Sequence, residues 1–390
     1  MGEPSLMSPI LFLKGENFLL VKFFLLVKFL LTIFFLFLLI TLKLVKEKVM
    51  GSVKDLTIID QPTKEKGGRG RFFFSDRYSV FDWGEMPDHI PNKGKALCLI
   101  GAYFFEKLEK MGIKTHYYGV VSAGQPKFLD QITEPSDTME VKLVRVIKPT
   151  VAPDGYDYSP YLGEKGNFLI PLEVIYRNSL PPGSSVFKRL SEGKLKPEDL
   201  GLDHVPEPGE KFDQPLLDVS TKLEATDRYL SWEEAQKIAA LTDEEVRQIK
   251  EVVLTVNHLI TEEVGQIGLT HEDGKVEFAF DEERQLMLVD VLGTPDECRF
   301  TYQGIPVSKE AARIYYRRTP WYKEVEEAKK RDAQRWKELV KSAPPPLSPK
   351  MKDLIAGLYQ ACGNEITGRQ WFKVPPLQEI MAELKSELGL

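Results

Sequence analysis

Stretches of alternating apolar and polar residues are interleaved in this chain with longer ones whose apolar residues recur every three or four positions. The mixture predicts an α+β fold. Val53 to Ile59 and Arg71 to Ser75 predict strands flanking a Gly/Lys/Arg-rich turn, Lys64 to Gly70. Met139 to Ile147 and Phe168 to Tyr176 predict two more. Lys148 to Asn167, between them, reads as an inserted loop because it holds Pro, Gly and Tyr. Helical spacing marks Leu97 to Lys110, which closes near Gly112. Ser231 with Glu234 forms a capping box. Asp243 or Thr242 can cap a longer helix running toward Gly265, with Val246, Ile249, Val253, Val256 and Ile260 on one scaffold face. Beyond Arg318 the pattern predicts a charged helix from Trp321 to about Val340 and a break at Pro344-Pro345-Pro346. Two amphipathic helices follow, Met351 to Ala361 and Leu377 to Leu388.

The same pattern carries chemistry in one hairpin. Lys275-Val276-Glu277-Phe278 and Leu288-Val289-Asp290 predict its arms, across the polar turn Asp281-Glu282-Glu283-Arg284. If those four residues close the turn, Phe280 faces Gln285 and Glu277 faces Leu288. Asp290 then stands one diagonal step from Glu277, on a face shared with Lys275. Val276, Phe278, Met287, Val289 and Val291 make the other face, wholly apolar. Two carboxylates and an ammonium on such a hairpin are costly unless paired. Mg²⁺ carrying a nucleotide phosphate would pair them, since it takes one or two carboxylates with phosphate oxygens. A lysine–carboxylate salt bridge on an exposed face is the plainer alternative, and the hairpin alone favours it. Gly293-Thr294-Pro295-Asp296-Glu297-Cys298-Arg299-Phe300 follows. Pro295 ends the strand because it cannot donate to a ladder, and the turn delivers Asp296 and Arg299 beside the charged face.

Two earlier segments complete a set. They are Ser75-Asp76-Arg77-Tyr78-Ser79-Val80-Phe81-Asp82, and Pro171-Leu172-Glu173-Val174-Ile175-Tyr176-Arg177-Asn178 running on to Gly183-Ser184-Ser185. Together, from about Gly51 to about Arg318, they resemble the SAICAR synthetase (phosphoribosylaminoimidazole-succinocarboxamide synthase) family, in that family's order. The resemblance implies an ATP-dependent ligase of purine biosynthesis. Its fold would be a β-rich, nucleotide-covering N-terminal lobe and a larger α+β lobe, with the active cleft between them. Carboxyaminoimidazole ribotide would be phosphorylated by ATP to an acyl phosphate, from which the amine of L-aspartate displaces phosphate to give SAICAR. A carboxylate is a poor acyl donor until phosphorylation supplies a leaving group. The chemistry therefore rests on positioning and electrostatics.

The resemblance also assigns residues. Glu277 and Asp290 match the carboxylates that hold Mg²⁺ and ATP, and Lys275 the phosphate-facing lysine. Lys275 and Asp296 are taken as catalytic. Arg177 and Ser184 match the motif for the ribotide phosphate, although an extra residue and Pro181-Pro182 lengthen the run from Arg177 to Gly183. Arginine suits that role because its planar fork pairs oxyanions in bidentate fashion. Arg299 matches a second ribotide-contacting arginine, with Asp296 placed to orient it or a bound water. Asp76, Arg77, Ser79 and Asp82 match a Ser/Thr-Asp-Arg-x-Ser-x-Phe-Asp motif lining the cleft; an Arg77–Asp82 structural pair is the alternative. Lys54 keeps the second basic position of the family's Gly-Lys-x-Lys/Arg opening, for ATP, with Ser52 in place of the first; a solvated strand lysine is the alternative. Ser220 to Arg228 resembles the family's Thr-Lys-x-Glu…Asp segment near the cleft.

Composition narrows the class. With 43% hydrophobic and 28% charged residues among 390, the chain is ordinary for a globular protein of one large or two domains. A net charge of −6 argues against a nucleic-acid binder. Three dispersed cysteines and five histidines, with no CxxC or Cys/His cluster, indicate neither a zinc site nor a disulfide framework, and suit the cytoplasm. The N-terminus is the anomaly. Phe18 to Val45 is almost entirely Phe, Leu, Ile and Val, broken by Lys22, Lys28 and Lys43. Its uncharged run, Phe29 to Leu42, falls short of the roughly 20 residues that span a bilayer. The preferred reading is a translated upstream segment; a membrane anchor through residues 18–45 is the alternative. The organisation expected is 1–49 as a hydrophobic extension, 50–150 as the nucleotide-binding lobe, 151–320 as the ribotide, ATP and metal lobe, and 321–390 as a helical extension that packs on it or on a second subunit. A divergent phosphotransferase is the competing enzyme class, disfavoured by the lack of a Gly-x-Gly-x-x-Gly loop and a His-Arg-Asp loop.

Overall fold

Two antiparallel sheets organise the chain in a computed structural model that describes Lys28 and residues 48–51, 53–153, 155–332 and 335–390. Apart from Lys28, the apolar segment 18–45 lies outside the described residues. The first sheet holds β1 (Lys48–Met50), β2 (Lys54–Asp60), β3 (Gly68–Phe74), β4 (Tyr117–Ser122), β5 (Gln125–Lys127) and β6 (Thr138–Leu143), in the order β1-β2-β3-β6-β4-β5. Helix α1 (Lys93–Lys110) packs on it, fully buried Phe105 stacking on Tyr117 of β4 with ring centres 5.7 Å apart. The predicted inserted loop contains a small hairpin of its own, β7 (Thr150–Ala152) with β8 (Gly155–Asp157).

The second sheet holds β9 (Phe168–Ser179), β10 (Lys211–Thr221), β11 (Tyr229–Leu230), β12 (Leu269–Phe280), β13 (Leu286–Val289), β14 (Cys298–Tyr302) and β15 (Ile305–Pro306). Its order is β11-β10-β9-β12-β14-β15, with β13 also on β12. Helices α2 (Ser185–Ser191), α3 (Trp232–Ile238) and α4 (Asp243–Gly265) complete this part. The α4 start is fixed locally: the Thr242 side chain accepts from the Glu245 N–H at 3.2 Å, and the Glu245 carboxylate accepts from the Thr242 N–H at 2.8 Å. Its predicted stripe of Val246, Ile249, Val253, Val256 and Ile260 is buried, and α4 lies on β12. At roughly 1.5–3 kcal/mol for each such side chain taken out of water, that stripe holds the helix far more firmly than propensity does.

The two sheets join where residues 114–116 run beside β13: Leu288 N–H donates to the Lys114 carbonyl and His116 N–H to the Leu288 carbonyl, each at 3.0 Å. At the C-terminal end come α5 (Glu310–Tyr316), α6 (Pro320–Arg331), α7 (Trp336–Leu339), α8 (Pro349–Thr367) and α9 (Leu377–Leu388). The long charged helix predicted to about Val340 thus stops at Arg331. Helix α8 packs on α1 at the smallest residues available, Gly363 against Ala96.

Candidate active site

Strand pairing gathers the site on one face of the second sheet. Between β9 and β12, Arg177 lies opposite Asp273, Ile175 opposite Lys275, and Glu173 opposite Glu277. On the other side of β9, Asp218 of β10 lies opposite Ile175 and Ser220 opposite Glu173. On β14, Arg299 lies opposite Asp273. Faces alternate along a strand, so the reverse face is Val174, Tyr176, Val276 and Phe278, all buried in the core. Like charges directly opposite are destabilising, and Glu173 against Glu277 is such a pair. Lys222, just past the end of β10, bridges them at 2.9 and 2.6 Å, and Lys275 reaches Glu173 at 2.9 Å. Burial would lower the Lys222 and Lys275 pKa values, but the facing carboxylates outweigh it and hold both above the ordinary lysine range.

The hairpin exists, with a different register from the one predicted. Phe280 pairs with Leu286 and Glu277 with Val289, so five residues, not four, close the turn. The slip puts Met287 and Val289 on the side of Glu277, where with Ala279 they form a separate apolar cluster. Continued as a strand, it would also have turned Asp290 away from Glu277. Instead β13 ends at Val289, and Asp290 adopts the left-handed conformation with φ of 64°. The kink returns its carboxylate to the cluster, where it ion-pairs with Lys54 from the first sheet. The Lys54 ammonium also sits 4.3 Å from the centre of the Phe72 ring. Burial and then the Asp290 charge push the Glu277 carboxyl well above the carboxylate range. Burial pushes Asp290 in the same direction, but Lys54, with Lys222 and Lys275 beyond it, outweighs burial and holds that carboxyl low.

Beside this cluster lies a cleft of about 380 Å³ whose lining includes Arg177, Lys275, Asp296, Arg299, Lys309 and Arg313. Arg177 is buried and braced between Asp218 at 3.3 Å and Asp273 at 3.5 Å. Asp273 also holds Arg299 at 2.9 Å, and Asp218 holds Arg189 of α2 at 2.5 Å. Three guanidinium groups are thus fixed by two buried carboxylates, an arrangement suited to binding oxyanions.

Several predicted residues are placed differently from expectation. Ser184 is the N-cap of α2, its hydroxyl accepting from the Val186 N–H at 3.4 Å, and it does not line the cleft. Its neighbour Ser185 does, accepting from Arg177 at 3.4 Å and meeting the Tyr229 hydroxyl at 2.8 Å. Asp296 does not orient Arg299, which Asp273 holds; it pairs with buried Lys93 at 2.7 Å and accepts from the Tyr359 hydroxyl at 2.6 Å. Asp76 accepts from the N–H groups of Asn92 and Gly94 at 3.2 and 3.0 Å, anchoring the start of α1. Arg77 pairs with buried Asp55 at 2.5 Å, not with Asp82, which is 90% exposed and faces Lys329. Half-buried Ser79 lies in the same segment, outside the cleft lining. The structure therefore brings together Lys54, Lys275, Glu277 and Asp290, and beside them Arg177, Asp296 and Arg299. Asp76, Arg77 and Ser79 are not among them.

Sequence reasoning gave no role to Glu173, Asp218, Asp273, Lys93, Arg189 or Tyr359. Two of these had a signal: Glu173 and Asp273 sit at period two from Arg177 and Lys275, so each shares its neighbour's sheet face. Lys222 lay within the segment Ser220 to Arg228, but nothing local marks it as the bridge between two glutamates.

A sheet face that fixes arginines by buried carboxylates, next to a lysine–carboxylate cluster, is chemistry suited to phosphorylated, polyanionic ligands. A family model described as SAICAR synthetase matches residues 51–335, and the chain belongs to that family. A relative from Archaeoglobus fulgidus, provisionally named phosphoribosylaminoimidazole-succinocarboxamide synthase, is 52% identical over 87% of this chain and 100% of its own length. The phosphoribosylaminoimidazole-succinocarboxamide synthase of Thermoplasma acidophilum is 36% identical over 77% of this chain and 93% of its own. The fold is similar to that of the Saccharomyces cerevisiae SAICAR synthase complexed with SAICAR, with a TM-score of 0.58 at 20% identity over 84% of this chain and 97% of that one. The chain is accordingly a carbon–nitrogen ligase of purine biosynthesis, and the phosphotransferase alternative falls. Among the described residues no helix is long and apolar enough to cross a membrane.

Proposed function

We propose that this chain joins L-aspartate to carboxyaminoimidazole ribotide at the expense of ATP, through an acyl phosphate, in the cleft on the charged face of its second sheet. The observation that carries this reading is the continuity of one sheet face, with Arg177 and Arg299 at one end and Lys275, Glu277 and Asp290 at the other. The arginines hold the phosphate of the ribotide. Lys275 and Lys54 face the ATP phosphates, and Ser185 takes the hydrogen-bonding role expected of Ser184. Lys275 keeps its proton, because the carboxylates around it outweigh burial, and so acts as a fixed positive charge.

Glu277 and Asp290 fit Mg²⁺. They are two carboxylates whose mutual repulsion, on top of burial, resists full ionisation, and a divalent cation would relieve it. Among the described residues no group of three or more His, Cys, Asp or Glu could hold a metal unaided. That is the donor set expected where substrate phosphates supply the remaining oxygens. When bound, the ion would neutralise charge on the transferring phosphoryl group. The buried, unbridged cysteines Cys98, Cys298 and Cys362 fit a reducing, cytoplasmic setting. The test is a coupled ADP-release assay in which ribotide, L-aspartate, ATP and Mg²⁺ are each omitted in turn. Release should require all four. Turnover with another amine and none with aspartate would refute the substrate assignment.

A further inference from the structure

The C-terminal helix α8 lies beyond the stretch matched by the family model, which ends at residue 335. It nevertheless reaches the cleft. Tyr359, fully buried on α8, donates its hydroxyl hydrogen to Asp296 Oδ1 at 2.6 Å. On the other carboxylate oxygen, Lys93 Nζ of α1 stands 2.7 Å away, itself buried. That contact is charge to charge, because the Lys93 ammonium meets no acceptor in hydrogen-bond alignment among the described residues. It attracts the carboxylate without fixing its direction. The phenol supplies the direction, and its ring also lies 5.4 Å from the Lys93 ammonium, so one side chain touches both partners.

The segment carrying Asp296 is itself held against α1. Gly293 has φ of +72°, and a Cβ there would come within 2.2 Å of the Phe104 ring. The Cys298 N–H then closes a turn onto the Thr294 carbonyl at 2.8 Å. Pro295, Asp296, Glu297 and Arg299 all line the cleft from this turn. We propose that Tyr359 is a positioning residue for the ligase reaction: through its hydroxyl, α8 sets the orientation of the Asp296 carboxylate in the substrate cleft. The proposal rests on the functional reading above.

Tyr359→Phe keeps the ring and its packing and removes only the donor. The test is a double-mutant cycle of Tyr359→Phe and Asp296→Ala, reading kcat, KM for each of the three substrates, and Tm on the same preparations. Losing an aligned hydrogen bond to a carboxylate should lower kcat/KM about ten-fold or more for the single Tyr359→Phe variant. KM for ATP should stay within about two-fold, and in the Asp296→Ala background, where no acceptor is left, the Tyr359→Phe effect should vanish. A purely structural tyrosine would instead lower Tm and leave kcat/KM unchanged, or act equally in both backgrounds; either result overturns the proposal. Absence of aspartate-dependent ADP release by the unaltered enzyme in the same assay would refute the functional reading and take the proposal with it. Turnover of that enzyme with no effect of Tyr359→Phe would refute the proposal alone.

Discussion

Replacing Glu277 by Gln tests whether the charged sheet face exists for a ligand or for the fold. Glu173, Glu277, Asp290 and Glu297 bring four carboxylates to Lys54, Lys222 and Lys275, leaving one negative charge uncompensated. That excess is shared by Glu297 and Glu277, both raised in pKa first by burial, and Glu277 next by Asp290. A carboxyl with a folded pKa above its unfolded value stabilises the fold fully below the unfolded pKa, and that contribution is lost as pH rises through the folded pKa. Gln does not titrate, and its amide can still accept the 2.6 Å bond from Lys222. Glu277→Gln should therefore be close to the native protein in stability only near and below the unfolded carboxyl's pKa of about 4.3. It should become the more stable of the two as pH rises from there to the folded pKa of about 8, by about 1.4 kcal/mol for each pH unit crossed, and hold that margin above it. Turnover should nevertheless fall by roughly 100-fold or more, because the charge that would face Mg²⁺ and the ATP phosphates is gone. Thermal melts at about pH 4.5, 6.5 and 8, with ADP release measured on the samples at the two higher values, separate the cases. A variant that loses stability at every pH while turning over near the native rate would show that Glu277 belongs to a structural salt bridge, and the reasoning would fail.

Arg177→Lys should raise KM for the ribotide, with kcat/KM down about ten-fold or more, because a point charge cannot keep both the carboxylate braces and a bidentate oxyanion contact; an unchanged ribotide KM would move the phosphate elsewhere. Lys222→Met leaves Glu173 and Glu277 opposite each other without their bridge, and should cost about 3 kcal/mol in urea unfolding; Lys222→Arg should recover most of it, and equal stability of the Met variant would show the bridge to be idle. Burial lowers the His116 pKa to about 4 and that of His271 to about 3. Both therefore stabilise the fold fully above their unfolded pKa of about 6.5, and stability should decline by up to about 1.4 kcal/mol per histidine for each pH unit below it. Melts between pH 7 and 4.5 check this: the slope should be shallower in His271→Phe, and an identical slope would refute the assignment.

The register of the β12–β13 hairpin shows where the sequence stops being legible. Both arms could be read because strand propensity and alternation are local. The turn could not, because its fifth residue is admitted by tertiary contacts. Arg284 takes the left-handed conformation at φ of 58°, and its guanidinium is held by Glu245 of α4 at 2.7 Å and by the Glu164 and Ala240 carbonyls. Asp281 then tightens the loop by accepting from the Glu283 and Gln285 N–H groups at 3.0 and 2.8 Å. A slip of one residue should have sent Asp290 to the opposite face. It remains with Glu277 only because its own backbone leaves the strand there. The pairing of these carboxylates was thus expected for a reason the structure does not support, while the cost that prompted it was read correctly.

The same limit explains the residues around Arg177. That an arginine in a strand of Val, Ile and Tyr needs compensation is visible in the sequence, but which carboxylates compensate it depends on strand order. β9 lies between β10, the next strand in the chain, and β12, which is not, so Asp218 and Asp273 arrive from 41 and 96 residues away. Ser184 and Ser185 differ by one position, and only the start of α2 decides that the first caps the helix while the second faces the cleft. A family motif marks such a segment without resolving its faces. Resolving them takes the pleat, the caps and the neighbours across the sheet. For that reason the charges that sequence leaves unexplained in apolar strands are the better guide to a site: each must find a partner, and here the partners converge on one cleft.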